Sequence, residues 1–166
     1  MSGPAAELGP VTDVIGSPKP VQQPHPPILI GGTGERVLLK LVARHADMWS
    51  ASADADRMGH LIETIRRHAD AVGRDSETID KTVMIPLAYQ ADADRQQFMC
   101  WVVAAMRATS PEAARRGIMI GERAECFDTI ERFRKVGVTH FIFMLFEPLR
   151  EEEIQAFAEE IIPAVR

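Results

Sequence analysis

Apolar positions in this chain fall into two rhythms that take turns. Short runs predict strands at Ile28–Gly31, Asp47–Ala51, Thr82–Ala88 and His140–Phe146. The first, third and fourth are apolar almost throughout, the pattern of parallel strands covered on both faces. Between them, apolar residues recur at helical spacing. Val37, Leu38, Leu41 and Val42 form one stripe, and Met58, Leu61, Ile62, Ile65, Ala69 and Val72 a second that Gly73 ends. Phe98, Trp101, Val102, Ala105 and Met106 form a third, predicted to face the core. Phe127, Ile130 and Phe133 mark a fourth, and Ile154, Phe157, Ala158, Ile161, Ile162 and Val165 the last. Ser110 before Pro111 and Glu112 reads as a cap with a first-turn proline, opening a short helix through Ala113–Arg116. Strand and helix alternate four times, which is the signature of parallel β/α units.

Ahead of this alternation lies a different kind of chain. Seven of the eleven prolines fall in residues 1–27, which lack periodicity of either type and read as an extended lead-in; the folded domain is expected over 28–166. At the join, Pro26-Pro27-Ile28-Leu29-Ile30-Gly31-Gly32-Thr33-Gly34-Glu35-Arg36 delivers a strand into a glycine-rich turn, with an amphipathic helix expected at once. Three glycines in four positions permit positive φ and close approach of a ligand, and unpaired amides at a helix start attract anions. The same arrangement also serves as a ligand-free connection in parallel sheets. The spacing Gly-Gly-x-Gly is neither the dinucleotide fingerprint nor an ATP-type phosphate loop, so a mononucleotide-like phosphate is the ligand it suits.

Composition narrows the partners. With 46% hydrophobic and 26% charged residues the 166-residue chain has the balance of one globular domain. No apolar run approaches the roughly twenty residues that span a bilayer, and the start lacks a basic region followed by a hydrophobic one, so a cytoplasmic location is expected. A net charge of −5 without a Lys/Arg cluster argues against nucleic acid and anionic membrane surfaces. Cys100 and Cys126 lie in separate helical segments without metal-ligand spacing and read as buried free thiols.

Other polar residues have ordinary readings. His60 and His68, eight apart on one helix, lack the i, i+4 partner of a metal pair and read as surface histidines. His25 reads as positional. Asp92 and Glu147 fall at or just after the ends of predicted strands, and either could touch substrate, although exposed loop carboxylates usually have no such role. Glu151-Glu152-Glu153 suits the positive end of the last helix.

Strand, glycine turn and helix are followed by Ala43-Arg44-His45-Ala46-Asp47-Met48-Trp49, then a Gly73-Arg74-Asp75 turn and a closing Ile162-Pro163-Ala164 before Arg166. With Lys19–Glu35, this ordered set resembles the luciferase-like monooxygenase family, particularly its deazaflavin (coenzyme F420) branch, from about Lys19 to Arg166. Two positions depart from the pattern: Met48 stands where glycine is usual and would crowd the strand end, and His45 replaces a common tyrosine. The resemblance implies an α/β fold, the C-terminal half of a TIM-type (β/α)8 barrel with four parallel strands alternating with helices. A complete barrel needs about 250 residues. Ligands would lie at the C-terminal strand ends. The resemblance further implies that Gly31, Gly32, Thr33, Gly34 and Glu35 hold the coenzyme phosphate, with F420 as coenzyme and FMN as the alternative. It also implies hydride transfer between reduced deazaflavin and a small organic substrate. Trp49 matches a family tryptophan, which either packs or contacts ligand. No catalytic residue carries over, because the ring and its acid–base partners lean on the first half of the barrel. The alternatives are an FMN-dependent monooxygenase, or a truncated noncatalytic remnant or assembly module.

Half a barrel leaves two strand edges unpaired and one layer of side chains without its opposite. The uncovered residues are expected among Val83, Ile85, Leu87, Phe141, Phe143 and Leu145. Each large apolar side chain left uncovered forgoes about 1.5 to 3 kcal/mol. The expected remedy is a homo-oligomer, or a complementing N-terminal half-barrel.

Overall fold

The computed structural model describes residues 17–165. Residues 1–16 of the lead-in, and the Arg166 that closes the resembling segment, lie outside the described residues. From 17 to 27 the chain is exposed and forms neither helix nor strand. The elements then run β1 (Leu29–Gly31), α1 (Leu38–His45), β2 (Met48–Ala51), α2 (Ala55–Asp70), β3 (Asp80–Tyr89), α3 (Ala93–Arg107), α4 (Pro111–Arg115), β4 (Met119–Gly121), α5 (Arg123–Lys135), β5 (His140–Met144) and α6 (Glu151–Glu160). All strand pairs are parallel, in the order β1-β2-β3-β5, with β4 added beside the C-terminal end of β3. The four predicted strands are therefore present in order. The addition is β4, whose three residues are too few to show an alternation.

Local signals set the helix ends. The Asp54 carboxylate accepts from the Arg57 amide to start α2, Asp92 accepts from Arg95 to start α3, and the Ser110 hydroxyl accepts from Ala113 to start α4. Gly73, at φ +70°, lets the chain leave α2. No helix of the described residues is long and apolar enough to cross a membrane.

The register fixes two sheet faces. Gly31 pairs with Ser50, Ser50 with Thr82 and Thr82 with His140, while Met84 pairs with Ile142 and Pro86 with Met144. These residues share one face. Their neighbours Ile30, Trp49, Ala51, Val83, Ile85, Phe141 and Phe143 share the other, and it is this second face that the helices cover. There the core joins Leu39 and Val42 of α1, Met58, Leu61, Ile62 and Ile65 of α2, Phe133 of α5 and Phe157 of α6. The sequence-based assignment of the uncovered layer was out of phase by one residue. Val83, Ile85 and Leu87 are buried, and Phe141 and Phe143 pack edge-on against Phe133 and Phe157. The open layer holds Leu29, Met48, Met84, Ile142 and Met144 instead. Leu145 lies past the end of β5, half exposed. A one-residue slip exchanges the two faces of a strand, and an unbroken apolar run carries no mark of which is which.

The prediction for α3 also has the wrong face. Phe98, Trp101 and Met106 are 45%, 64% and 64% exposed, while Arg95, Met99, Cys100, Val103 and Ala104 are buried. The buried set includes small residues that let the helix lie close to Ala88, Ala114, Ile118 and Ile120 in a second cluster. Ala88 has the parity of Met84 and Pro86, so α3 packs on the sheet face that the other helices leave open, at its C-terminal end. Cys100 and Cys126 are buried and unpaired.

Candidate functional site

The chain leaves β1 at Gly31, and the next six residues form a connection at the C-terminal end of the sheet. Gly32 takes φ +127°, which favours glycine, and a Cβ there would press on Leu38 at 3.1 Å. Its amide donates to Ser50 O at 2.9 Å, and its carbonyl accepts from the Trp49 indole Nε1 at 2.9 Å. Both backbone polar groups of Gly32 are thus spent on holding the turn to β2. Trp49 is fully buried, so it braces the turn from behind. Helix α1 begins only at Leu38, after a turn over residues 35–37, with Val37 at its start and no side-chain cap. The amides of Thr33, Gly34, Glu35 and Arg36 donate to no acceptor among the described residues. Thr33 and Gly34 are exposed.

Glu35 has a different place from its neighbours. Its carboxylate accepts from Arg57 at 2.7 Å and from His60 at 3.0 Å, and its carbonyl faces the His68 ring nitrogen at 3.1 Å. Hydrogen bonds from His60 first, then Arg57, hold the Glu35 carboxyl below its usual range. With its carboxylate so occupied, Glu35 has only its backbone amide to offer an anion. His60 is an exposed surface histidine, as expected, that also reaches Glu35, and the half-buried His68 lies against the turn. Arg57 and His68, eleven residues apart, fall within about 20° on one helical face, a pattern the sequence carried without a chemical signature.

In front of Thr33 lies an open groove of about 330 Å³, walled by Ser52, Ala53, Asp54, Arg57, Arg107, Thr109, Ala113 and Ala114. It collects the chain ends of β1, β2 and α3. Next to it, Pro86, Val103, Met106, Met144 and Phe146 line an apolar cavity of about 240 Å³, with Ser52 and Arg107 common to both. A groove of this build can seat an anion between the unbonded Thr33 amide and the Arg107 guanidinium, with an apolar space beside it. Ser52, Arg57 and Arg107 were absent from the sequence-based set. Arg107 lies 55 residues from its partner Ser52, a separation only the fold closes.

Other candidates go elsewhere. Asp92 caps α3 and meets Arg150 at 2.7 Å, which with the Arg95 amide holds its carboxyl below the usual range. Glu147 accepts from the Leu149 amide in a local turn. His25 contacts the Pro26 carbonyl and lies 3.9 Å from Asp47, at the N-terminal end of the strands, away from the groove. Met48 opens β2 at that same far end and does not crowd the turn. Glu151 and Glu152 stay in the first turn of α6, whereas Glu153 forms a buried ion pair with Arg95 at 2.9 Å.

The model of the luciferase-like monooxygenase family matches residues 5–140. The chain belongs to that family. Among solved structures, it is similar to the coenzyme F420-dependent tetrahydromethanopterin reductase of Methanopyrus kandleri at 18% identity and TM-score 0.68, covering 84% of this chain and 51% of that one. An F420-dependent secondary alcohol dehydrogenase bound to an F420–acetone adduct matches at 21% identity and TM-score 0.69, covering 84% and 49%. The EDTA monooxygenase of Chelativorans sp. BNC1 matches at 12% identity and TM-score 0.62, covering 84% and 44%. These likenesses are of fold: parallel strands alternating with helices, here as part of a luciferase-like barrel. The chain spans about half the length of the first two solved structures. Among curated proteins, none matches. The family is one of flavin- or deazaflavin-dependent oxidoreductases and monooxygenases acting on small molecules.

Proposed function

We infer that this chain is the coenzyme-phosphate half of an F420-dependent luciferase-like oxidoreductase, moving a hydride between reduced deazaflavin and a small organic substrate in the cytoplasm. In this reading the backbone of Gly31, Gly32, Thr33, Gly34 and Glu35 forms the phosphate cradle, with the amides from Thr33 onward as donors. The observation that carries it is a braced turn at the C-terminal strand ends whose Thr33–Arg36 amides have no acceptor among the described residues. Similarity to two F420-dependent enzymes favours the deazaflavin. Bound there, the coenzyme would supply the hydride chemistry. The chain's own part is to fix the tail through its amides and to keep the turn rigid through Trp49, Arg57 and His60.

The runner-up is an FMN-dependent monooxygenase, which the family description and the monooxygenase neighbour favour. Both coenzymes carry a phosphate on the ribityl chain, so the turn suits either. The open sheet face, with Leu29 46% and Ile142 39% exposed, supports association with a second copy or with an N-terminal half-barrel. Titration of the purified chain with F420, FMN and riboflavin tests the reading. Binding of F420 in preference to FMN, with riboflavin not bound for want of a phosphate, is the expected result. Preference for FMN transfers the assignment to the monooxygenase. A folded chain that binds none of them is a noncatalytic module.

A further inference from the structure

Arg107 ends α3 on the wall between the polar groove and the apolar cavity. One of its guanidinium nitrogens, Nη2, donates to Ser52 Oγ at 2.7 Å and to Gly117 O at 3.4 Å. Its other terminal nitrogen, Nη1, fills the space beside Gly117 that a side chain there would need. The guanidinium is thus half enclosed and oriented, yet both partners are neutral. No described carboxylate reaches it at ion-pair distance; Asp54, on the groove wall, acts on it only from further off. Its neighbour Arg57 differs, being committed to Glu35 at 2.7 Å. Partial burial of a cation without a counter-ion costs free energy, and burial moves its pKa down from the ordinary arginine value while leaving it charged. An arrangement of this kind is stable in use when an anion completes it.

We propose that Arg107, which lines the same groove as Thr33, is an anion-binding residue that takes a phosphate-type oxyanion of a ligand whose apolar part enters the cavity lined by Pro86, Val103, Met106, Met144 and Phe146. The inference rests on reading the Thr33 groove as the anion-facing end of the molecule. Ser52 and Gly117 hold the fork in position, so a lysine, with a point charge on a flexible stem, substitutes poorly. Two sources share this chemistry: the tail of a coenzyme, and an anionic group on the substrate.

Inorganic phosphate titrated into the full chain tests it, followed by the backbone amide signals of Thr33 and Gly34 and the side-chain Nε signal of Arg107. The expected result is saturable shifts at Arg107, with affinity reduced about tenfold or more in Arg107→Met and partly restored in Arg107→Lys. Shifts at Arg107 without any at Gly34 uphold Arg107 and overturn the turn as phosphate cradle. Shifts at Gly34 with Arg107 unmoved, or equal affinity in a folded Arg107→Met, overturn the proposal and leave the cradle standing. The wild-type Arg107 signal decides the matter even if the variant does not fold. Phosphate that FMN displaces and riboflavin does not marks the coenzyme tail as the source. Phosphate that still binds beside FMN marks the substrate. Absence of any saturable shift overturns the proposal.

Discussion

The two faces of one sheet are built on the same strands and treated in opposite ways. On one, Trp49, Val83, Ile85 and Tyr89 are fully buried beneath α1, α2, α5 and α6. On the other, Leu29, Met84, Ile142 and Met144 are exposed or half covered, and α3, with α4 beside it, packs at the C-terminal end of that face alone. The strands alternate apolar residues onto both faces, so the sequence is written for a sheet buried twice. The second burial is the part that a barrel interior supplies.

The sharpest break of this contrast is a pair of truncations. Phe133→Ala on the covered side should lose about 3 to 5 kcal/mol in urea unfolding, whereas Ile142→Ala on the open side should lose about 1 kcal/mol or less. Comparable losses would mean that the open face is covered in solution, and sedimentation would then show a second copy. Next in size is the anchor of α3. Arg95→Met leaves Glu153 buried beside a single distant cation, Arg150 at 3.6 Å, and should cost about 3 kcal/mol. Replacing both partners with apolar residues should recover most of it.

A smaller effect separates support from contact at the turn. Trp49→Phe removes the bond to Gly32 and should cost about 1 kcal/mol, with weaker phosphate binding and an intact fold. Gly34→Val is the cleaner test of the cradle. A Cβ at Gly34 meets only Leu38 at an ordinary 3.4 Å, while valine at Gly32 strains the backbone as well. Unchanged phosphate affinity in Gly34→Val would remove the amides from the site.

The least perturbing probe is the chain's one tyrosine. Tyr89 lies on the covered face and donates to Glu160 at 2.7 Å; burial first, then that carboxylate, raise its pKa to about 12. A raised value means that the neutral phenol is what the fold stabilises. Its contribution should be complete below about pH 10 and fall away as pH rises toward about 12. Ultraviolet absorbance of the phenolate, followed in native and urea-unfolded chain, checks this. Trp101 on α3 should meanwhile be quenched readily by acrylamide and Trp49 hardly at all.

What the sequence could disclose follows from these contrasts. Strand order, the cap at Ser110 and the exit at Gly73 depend on neighbours in the chain and were legible. The glycine turn was legible as a turn. Its working details were not: Gly32 has no free amide, and Glu35 spends its carboxylate on α2. Face assignment failed at β3, β5 and α3, where apolar residues occur on every side and only packing against small residues such as Ala104 and Cys100 decides. The groove itself was illegible because Thr33, Ser52 and Arg107 come together only through the sheet.

The indole bond behind Gly32 has a kinetic meaning. A loop nailed to the strand next to it has already lost the freedom that capture would otherwise take away, so little ordering entropy stands against a phosphate arriving there. Association should be governed by diffusion and charge, with one relaxation phase whose rate rises linearly with ligand concentration.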